Sequence, residues 1–241
     1  MKSIAIANLT KKYGNFTAVN NLNLAVESGE LFALLGMNGA GKTTTIKMLS
    51  CLIRPTSGDA VLLGDSIREQ AQDIKQKINI SPQETAVAAN LSVFENLMFM
   101  AGIYGQDKNV SRQSATEIAS RFGLDSVLSK KAKRLSGGMQ RRLSIAMALI
   151  TNPQILFLDE PTLGLDVLAR RELWTSIKAL KGKVTIILTS HYLDEVEELA
   201  DRIGVMSNGE LTATGTVEDL IRQTGTSKLE DAFVALAGGV A

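Results

Sequence analysis

Apolar and polar positions alternate loosely over Ser3–Leu9 and again over Val19–Val26, with Asn- and Gly-bearing turns between, which predicts antiparallel strands. The run Leu31-Phe32-Ala33-Leu34-Leu35 is apolar throughout, as are Ile155–Leu158 and most of Val184–Thr189, the mark of strands buried on both faces. A shorter strand is predicted from Asp59 to Leu63, after the break Arg54-Pro55-Thr56-Ser57-Gly58, and Lys75–Ile80 leads to the loop Ser81-Pro82-Gln83-Glu84. From Glu84 to Lys131 the period lengthens. Val93, Leu97, Met100 and Ala101 recur at helical spacing, and so do Val110, Ala115, Ile118 and Phe122, which predicts a separate helical lobe. Further helices are predicted from Ser136 to Ile150, from Asp166 to Leu180 and from Leu193 to Ala200. Arg202–Met206 and Gly209–Gly215 then read as a hairpin turning at Asn208-Gly209. Two short amphipathic helices follow, the last with Leu229, Phe233 and Leu236 on one stripe.

Composition narrows this picture only a little. The 241 residues, 45% hydrophobic, suffice for one large domain or a core with a lobe, without covalent staples. A net charge of +1 gives no electrostatic reason to expect nucleic acid. The single Cys51 has no partner for an internal disulfide, which fits a reducing cytosol, and is expected on the apolar side of the first helix. Met1–Thr10 lacks the pattern of a secretory signal, and apolar stretches such as Leu143–Ile150 are too short to span a bilayer. A membrane role would therefore have to come from a partner.

The candidate chemistry begins after Leu35. Gly36-Met37-Asn38-Gly39-Ala40-Gly41-Lys42-Thr43 has the full spacing of a phosphate-binding loop, set between a strand and a helix that continues through Thr44. Glycines let successive N–H groups turn around a phosphate, and the helix start adds a partial positive charge. Lys42 is expected on the β- and γ-phosphates and Thr43 on Mg²⁺. Asp159-Glu160 closes the buried strand Ile155–Leu158, where open α/β sheets bind ligands. Asp159 suits Mg²⁺, and Glu160, pointing elsewhere, suits an attacking water. His191, the only histidine, also follows a buried strand. Ser136-Gly137-Gly138 opens a helix with a cap and two glycines, a second bare N-terminus that either binds an anion for a neighbouring subunit or is a cap alone. Tyr13 is an aromatic in a turn, placed to stack on a base or simply exposed. Gln83 is an ordinary loop residue, and Lys130, Lys131, Lys133 and Arg134 read as a solvated face.

In this order the motifs resemble the ATP-binding cassette (ABC) family of transport ATPases over Ser3 to about Gly215, most specifically in Leu135-Ser136-Gly137-Gly138-Met139-Gln140, which is similar to the family's signature. The resemblance implies an α/β fold: a P-loop NTPase, RecA-like core with an antiparallel β subdomain and an inserted α-helical subdomain. The expected division is an ATPase domain over 1–220, with 1–83 and 151–220 as core and 84–150 as helical subdomain, and a short helical tail over 221–241. It makes Tyr13 the adenine-stacking aromatic, Gln83 the glutamine that meets Mg²⁺ and the transporter interface, Asp166 the acid of the loop before its helix, and His191 the switch near the γ-phosphate. ATP and Mg²⁺ are the implied ligands, held by Tyr13, Gly36, Met37, Asn38, Gly39, Ala40, Gly41, Lys42, Thr43, Thr44, Gln83 and Asp159, with Ser136, Gly137, Gly138 and Asp166 completing the site. Two cassettes would pair head to tail, each signature facing the other's phosphate loop. Glu160 with His191 and Lys42 would promote hydrolysis. The implied partners are a transmembrane permease and a second copy of the chain, with no nucleic acid, at the cytoplasmic face of the membrane.

The wording Met139-Gln140-Arg141-Arg142 and Leu229-Glu230-Asp231-Ala232-Phe233 is similar to bacterial exporter cassettes for drugs, sodium or other small compounds. Met37 and Val167 stand where proline is commoner, and neither change removes a chemical group. Two other readings are a soluble cassette ATPase without a membrane partner and a P-loop kinase. The first usually carries tandem cassettes or a coiled-coil insertion, which this chain lacks; the second leaves the signature and Gln83 without a purpose.

Overall fold

The computed structural model describes residues 2–238, so residues 239–241 of the tail expected at 221–241 lie outside the described residues. β1 (Lys2–Tyr13) and β2 (Phe16–Glu27) form a long hairpin. Both strands outrun the alternation that predicts them. The ladder shifts register between Ile6 and Leu9 and again beyond, and Asn8 and Asn21 take positive φ there, so the period of two breaks while the pairing continues. With β4 (Ser57–Leu62) and β5 (Asp65–Ser66) the hairpin makes a 4-stranded antiparallel sheet of order β2-β1-β4-β5.

The second sheet is 6-stranded, with order β10-β9-β3-β8-β7-β6. Its strands are β3 (Leu31–Leu35), β6 (Ile78–Ser81), β7 (Ile155–Asp159), β8 (Thr185–Ser190), β9 (Arg202–Ser207) and β10 (Glu210–Gly215). All neighbours run parallel except β10 against β9. Because side chains alternate, each central strand feeds two cores. Leu31, Ala33, Leu35, Leu156, Leu158, Ile186 and Leu188 pack towards the helical lobe. Phe32, Leu34, Ile155, Phe157 and Ile187 pack towards the antiparallel sheet and the first helix. Truncating a residue such as the fully buried Phe157 to alanine removes about 3–5 kcal/mol.

The helices are α1 (Lys42–Leu49), α2 (Ala71–Lys77), α3 (Val93–Ile103), α4 (Lys108–Arg121), α5 (Gly137–Leu149), α6 (Val167–Lys178), α7 (Leu193–Leu199), α8 (Val217–Thr224) and α9 (Leu229–Leu236). α3, α4 and α5 pack on one another, and their buried residues join those of the second sheet in one core. Two expectations need correction. Val110 is exposed, because Asp107 caps α4 and the next position, Ser111, turns inward with its hydroxyl donating to Asp107 O at 2.7 Å. Cys51 is not on α1: the helix ends at Leu49, and Cys51 follows in a left-handed turn, φ 57°, half-buried. Among the described residues no helix is long and apolar enough to cross a membrane.

Candidate active site

Four adjacent parallel strands deliver the site. β3 ends at the Gly36 loop, β8 at His191, β7 at Asp159 and Glu160, and β6 two residues before Gln83. Parallel direction places all these ends on one edge of the sheet. They surround a cavity of about 480 Å³ lined by Phe16, Ala18, Asn38, Gly39, Ala40, Gly41, Lys42, Thr43, Thr44, Gln83, Glu160, Leu163 and His191.

Glycine is required in the loop for two different reasons. At Gly39 the backbone takes φ 84° with open space around it, leaving room for a ligand. At Gly36 and Gly41 the chain's own backbone is the obstacle: a Cβ would lie 2.5 Å from Met206 O and 2.5 Å from Ala18 O. Gly41, at φ 102°, also starts α1, whose first turn holds no acidic side chain to neutralise its partial positive charge.

The Lys42 ammonium is buried and donates to Gly36 O at 2.6 Å and Met37 O at 3.2 Å. It lies 3.4 Å from Glu160 Oε1. Thr43 Oγ1 donates to Asp159 Oδ1 at 3.1 Å, and the same oxygen accepts from Thr189 Oγ1 at 2.6 Å. Thr43 and Asp159 thus offer a pair of hard oxygen donors at the loop, the chemistry Mg²⁺ takes. Glu160 is non-glycine at φ 48°, an uncommon backbone that turns its carboxylate away from Asp159 and towards Lys42. Its other oxygen is 2.7 Å from His191 Nδ1. A proton on Nδ1 donated to that carboxylate leaves Nε2 as the acceptor of a neutral ring.

Not every expected residue meets the cavity. Tyr13 ends β1, half exposed, with the Lys11 ammonium 5.1 Å from its ring centre. Phe16, its cross-strand partner, lines the cavity instead. Gly36 and Met37 support the loop from outside the lining, and Met37 is exposed. Asp166 caps α6, accepting from Ala169 N at 2.9 Å. Ser136 caps α5, accepting from Met139 N at 3.3 Å, and neither it nor Gly137 or Gly138 reaches the cavity of its own chain.

Three polar residues at the site were not singled out from the sequence. Thr189 fixes Asp159 from within an apolar run. Arg141, on α5, is buried under the cavity floor and donates to five backbone carbonyls: Nε to Pro161, Nη1 to Pro82 and Gln83, Nη2 to Asp159 and Glu160. Burial pushes its guanidinium down from the ordinary value, while Asp159, Glu195 and Glu160 oppose this. Glu195, on α7, has no exposed surface. Its Oε1 accepts from Trp174 Nε1 at 3.3 Å, and its Oε2 and the buried Thr162 Oγ1 have no partner. Burial pushes the Glu195 carboxyl up; the nearby Ser190 and Thr162 hydroxyls favour the ionised form without closing a hydrogen bond.

A glycine loop between β3 and α1, with an acid at the end of β7, one strand further along the sheet beyond β8, defines the class: a P-loop nucleotide-binding protein. The particular family follows from comparison. The family model of ABC transporters matches residues 19–163, and the chain belongs to that family. It is 42% identical over 234 residues to the probable multidrug ABC transporter ATP-binding protein YbhF of Escherichia coli (strain K12), covering 95% of this chain but only 40% of that relative's length. A solved ATP-binding subunit of an ABC transporter superposes with TM-score 0.87 at 29% identity over 97% of this chain and 98% of that one. A dimeric ATP-binding cassette in a post-hydrolysis state with ADP and Pi superposes with TM-score 0.79 at 26% identity over 88% of this chain and 98% of that one.

Proposed function

We propose that this chain binds and hydrolyses ATP as a head-to-tail pair of cassettes that drives a separate membrane permease, in the direction of export. The observation that carries the catalytic part is the chain of contacts Lys42–Glu160–His191 facing the glycine loop, beside the Thr43–Asp159 oxygen pair. The loop N–H groups and the α1 terminus bind the phosphates. Lys42 is held by the carbonyls of Gly36 and Met37, from where it would meet the β- and γ-phosphates, and its charge also lies against Glu160. A phosphate entering the cradle competes for that ammonium and leaves the Glu160 carboxylate free to accept a proton from water. His191 holds Glu160 through Nδ1, and Gln83 lines the same cavity. Thr43 and Asp159 would hold Mg²⁺, which would neutralise charge on the phosphate oxygens.

The structural neighbour that is dimeric with ADP and Pi supports the paired state, and it accounts for a signature end that misses its own cavity. In this reading 1–83 and 151–220 form the core and 84–150 the helical subdomain. The relative's name, an ATP-binding protein of a probable multidrug ABC transporter, supports drug transport through a separate membrane partner, and in this reading the chain sits peripherally on the cytoplasmic face.

Glu160→Gln tests the reading. ATP should bind with nearly unchanged affinity, phosphate release should fall by about 10²–10⁴, and a nucleotide-bound dimer should accumulate on size exclusion. Turnover near the wild-type rate would overturn the role given to Glu160. Co-purification of a membrane protein of several apolar spans checks the partner.

A further inference from the structure

Arg141 occupies a place that neither nucleotide binding nor proton transfer uses. It lies one helical turn beyond Gly137 on α5, so it is rigidly connected to the Ser136-Gly137-Gly138 end of that helix. Arg141 is 3% exposed, yet its guanidinium meets no carboxylate side chain within ion-pair distance among the described residues. All its donors go to main-chain carbonyls in two loops. One loop, Pro82–Gln83, follows β6; the other runs from Asp159, the last residue of β7, to Pro161 and carries Glu160 in its left-handed conformation. A planar fork with five N–H donors is the one side chain able to bridge so many acceptors at once. Burying a charge for this purpose is costly, which makes a space-filling role a poor explanation.

We propose that Arg141 is a positioning residue for hydrolysis: it ties the Gln83 loop and the Glu160 loop to α5, so that Glu160 is aligned when the α5 N-terminus is docked. The proposal rests on the function given above and adds a coupling to it. Docking of the signature end on a partner's nucleotide acts along α5 on the same guanidinium that holds the Asp159, Glu160 and Pro161 carbonyls. The fit of one cassette against its partner is thereby transmitted to the Glu160 backbone of the cassette that supplies the signature.

Two variants of the full chain test this, Arg141→Lys and Arg141→Ala, compared with wild type well below their melting temperatures. ATP affinity should stay within about 3-fold, because no Arg141 atom lines the cavity, whereas kcat should fall by about 20-fold or more, the size expected when a catalytic group is displaced by about an ångström. Lysine should restore only part of the rate, since one ammonium cannot span both loops. Guanidinium ion at about 10 mM should raise the turnover of Arg141→Ala several-fold, while urea at the same concentration should not. Amide exchange should quicken together at residues 82–84 and 159–163. A folded variant with kcat within 2-fold of wild type overturns the proposal, as does a loss of ATP affinity that matches the loss of kcat. If Arg141→Ala does not fold, Arg141→Lys alone decides by the same two measures. Wild-type chain that releases no phosphate would instead overturn the function itself, so the two failures are distinct.

Discussion

Two helices in this chain begin with glycine and leave their N-termini free of acidic side chains, and they are built differently. At α1 the glycines are forced by the chain itself, the loop being pressed on β2 and β9 through Gly41 and Gly36, and the space beyond is walled by Lys42, Glu160 and His191. At α5 a Cβ on Gly137 would meet nothing, and one on Gly138 would meet only the side chains of Ala169 and Leu165. Each helix carries a basic residue near its start. Lys42 turns into the cavity, whereas Arg141 turns inward to its own main chain. The first end is a finished half-site; the second is a bare donor surface whose ligand has to come from another molecule.

Alanine at each glycine separates these cases most sharply. Gly41→Ala puts a Cβ at φ 102° and 2.5 Å from Ala18 O, which should cost about 3 kcal/mol or more and abolish nucleotide binding. Gly137→Ala should leave stability unchanged or raise it by about 0.5–1 kcal/mol, and leave ATP affinity unaltered. Its phosphate release should nonetheless fall by about 10-fold, because the added methyl stands where a partner's phosphate must approach the α5 N–H groups. Thermal melts, nucleotide titration and phosphate release check each variant. Full hydrolysis by Gly137→Ala would mean that the α5 end is a cap and nothing more.

Much of the first half-site is legible in the sequence, because a parallel strand writes itself as an unbroken apolar run and the residue after the run must sit at the sheet edge. That places Gly36, Asp159, Glu160 and His191 together before any coordinates exist, and the structure puts them there. What stays hidden depends on contacts between distant segments. Arg141 stands between Gln140 and Arg142, and nothing in that run marks it as buried; only the packing of α5 against β6 and β7 brings it to the carbonyls. Thr189 looks like one more β-branched strand residue. The hairpin's length was obscured by bulges at Asn8 and Asn21, which break the period that a sequence reading follows. α2 carries a single buried apolar residue, Ile74, too little for a helical period to show.

The charges beneath the two ends differ as well, and pH is the probe. Lys42 has its countercharge, Glu160, in the cavity, whereas Arg141 makes no ion pair among the described residues and feels the charge of Asp159, the sealed Glu195 and Glu160. Burial raises the Glu195 carboxyl above its ordinary value of about 4.3, so from that value up to the folded value the native state holds more protons than the unfolded chain. Stability therefore falls as pH rises through that window and is greatest below it. Glu195→Gln removes this dependence. Its melting temperature should decline less steeply than wild type as pH rises above that ordinary value. Parallel curves would show that Glu195 titrates alike in both states.

The smallest expected effect concerns which aromatic completes the first half-site. Tyr13 and Phe16 are paired across the β1–β2 hairpin and so stand on the same face of the sheet, but only Phe16 reaches the cavity. Tyr13 stands behind it, under the Lys11 ammonium. Stacking of a base on an aromatic ring is worth about 1–3 kcal/mol by alanine substitution, and the ring that lines the cavity is the one in reach. Phe16→Ala should therefore weaken ATP binding by about 5-fold or more, and Tyr13→Ala by less, with GTP titrations following the same order because stacking does not read the base edge. The opposite order would show that the hairpin tip turns when nucleotide enters and brings Tyr13 over the base, which would make this edge of the cradle, unlike the glycine loop, a surface that forms on binding.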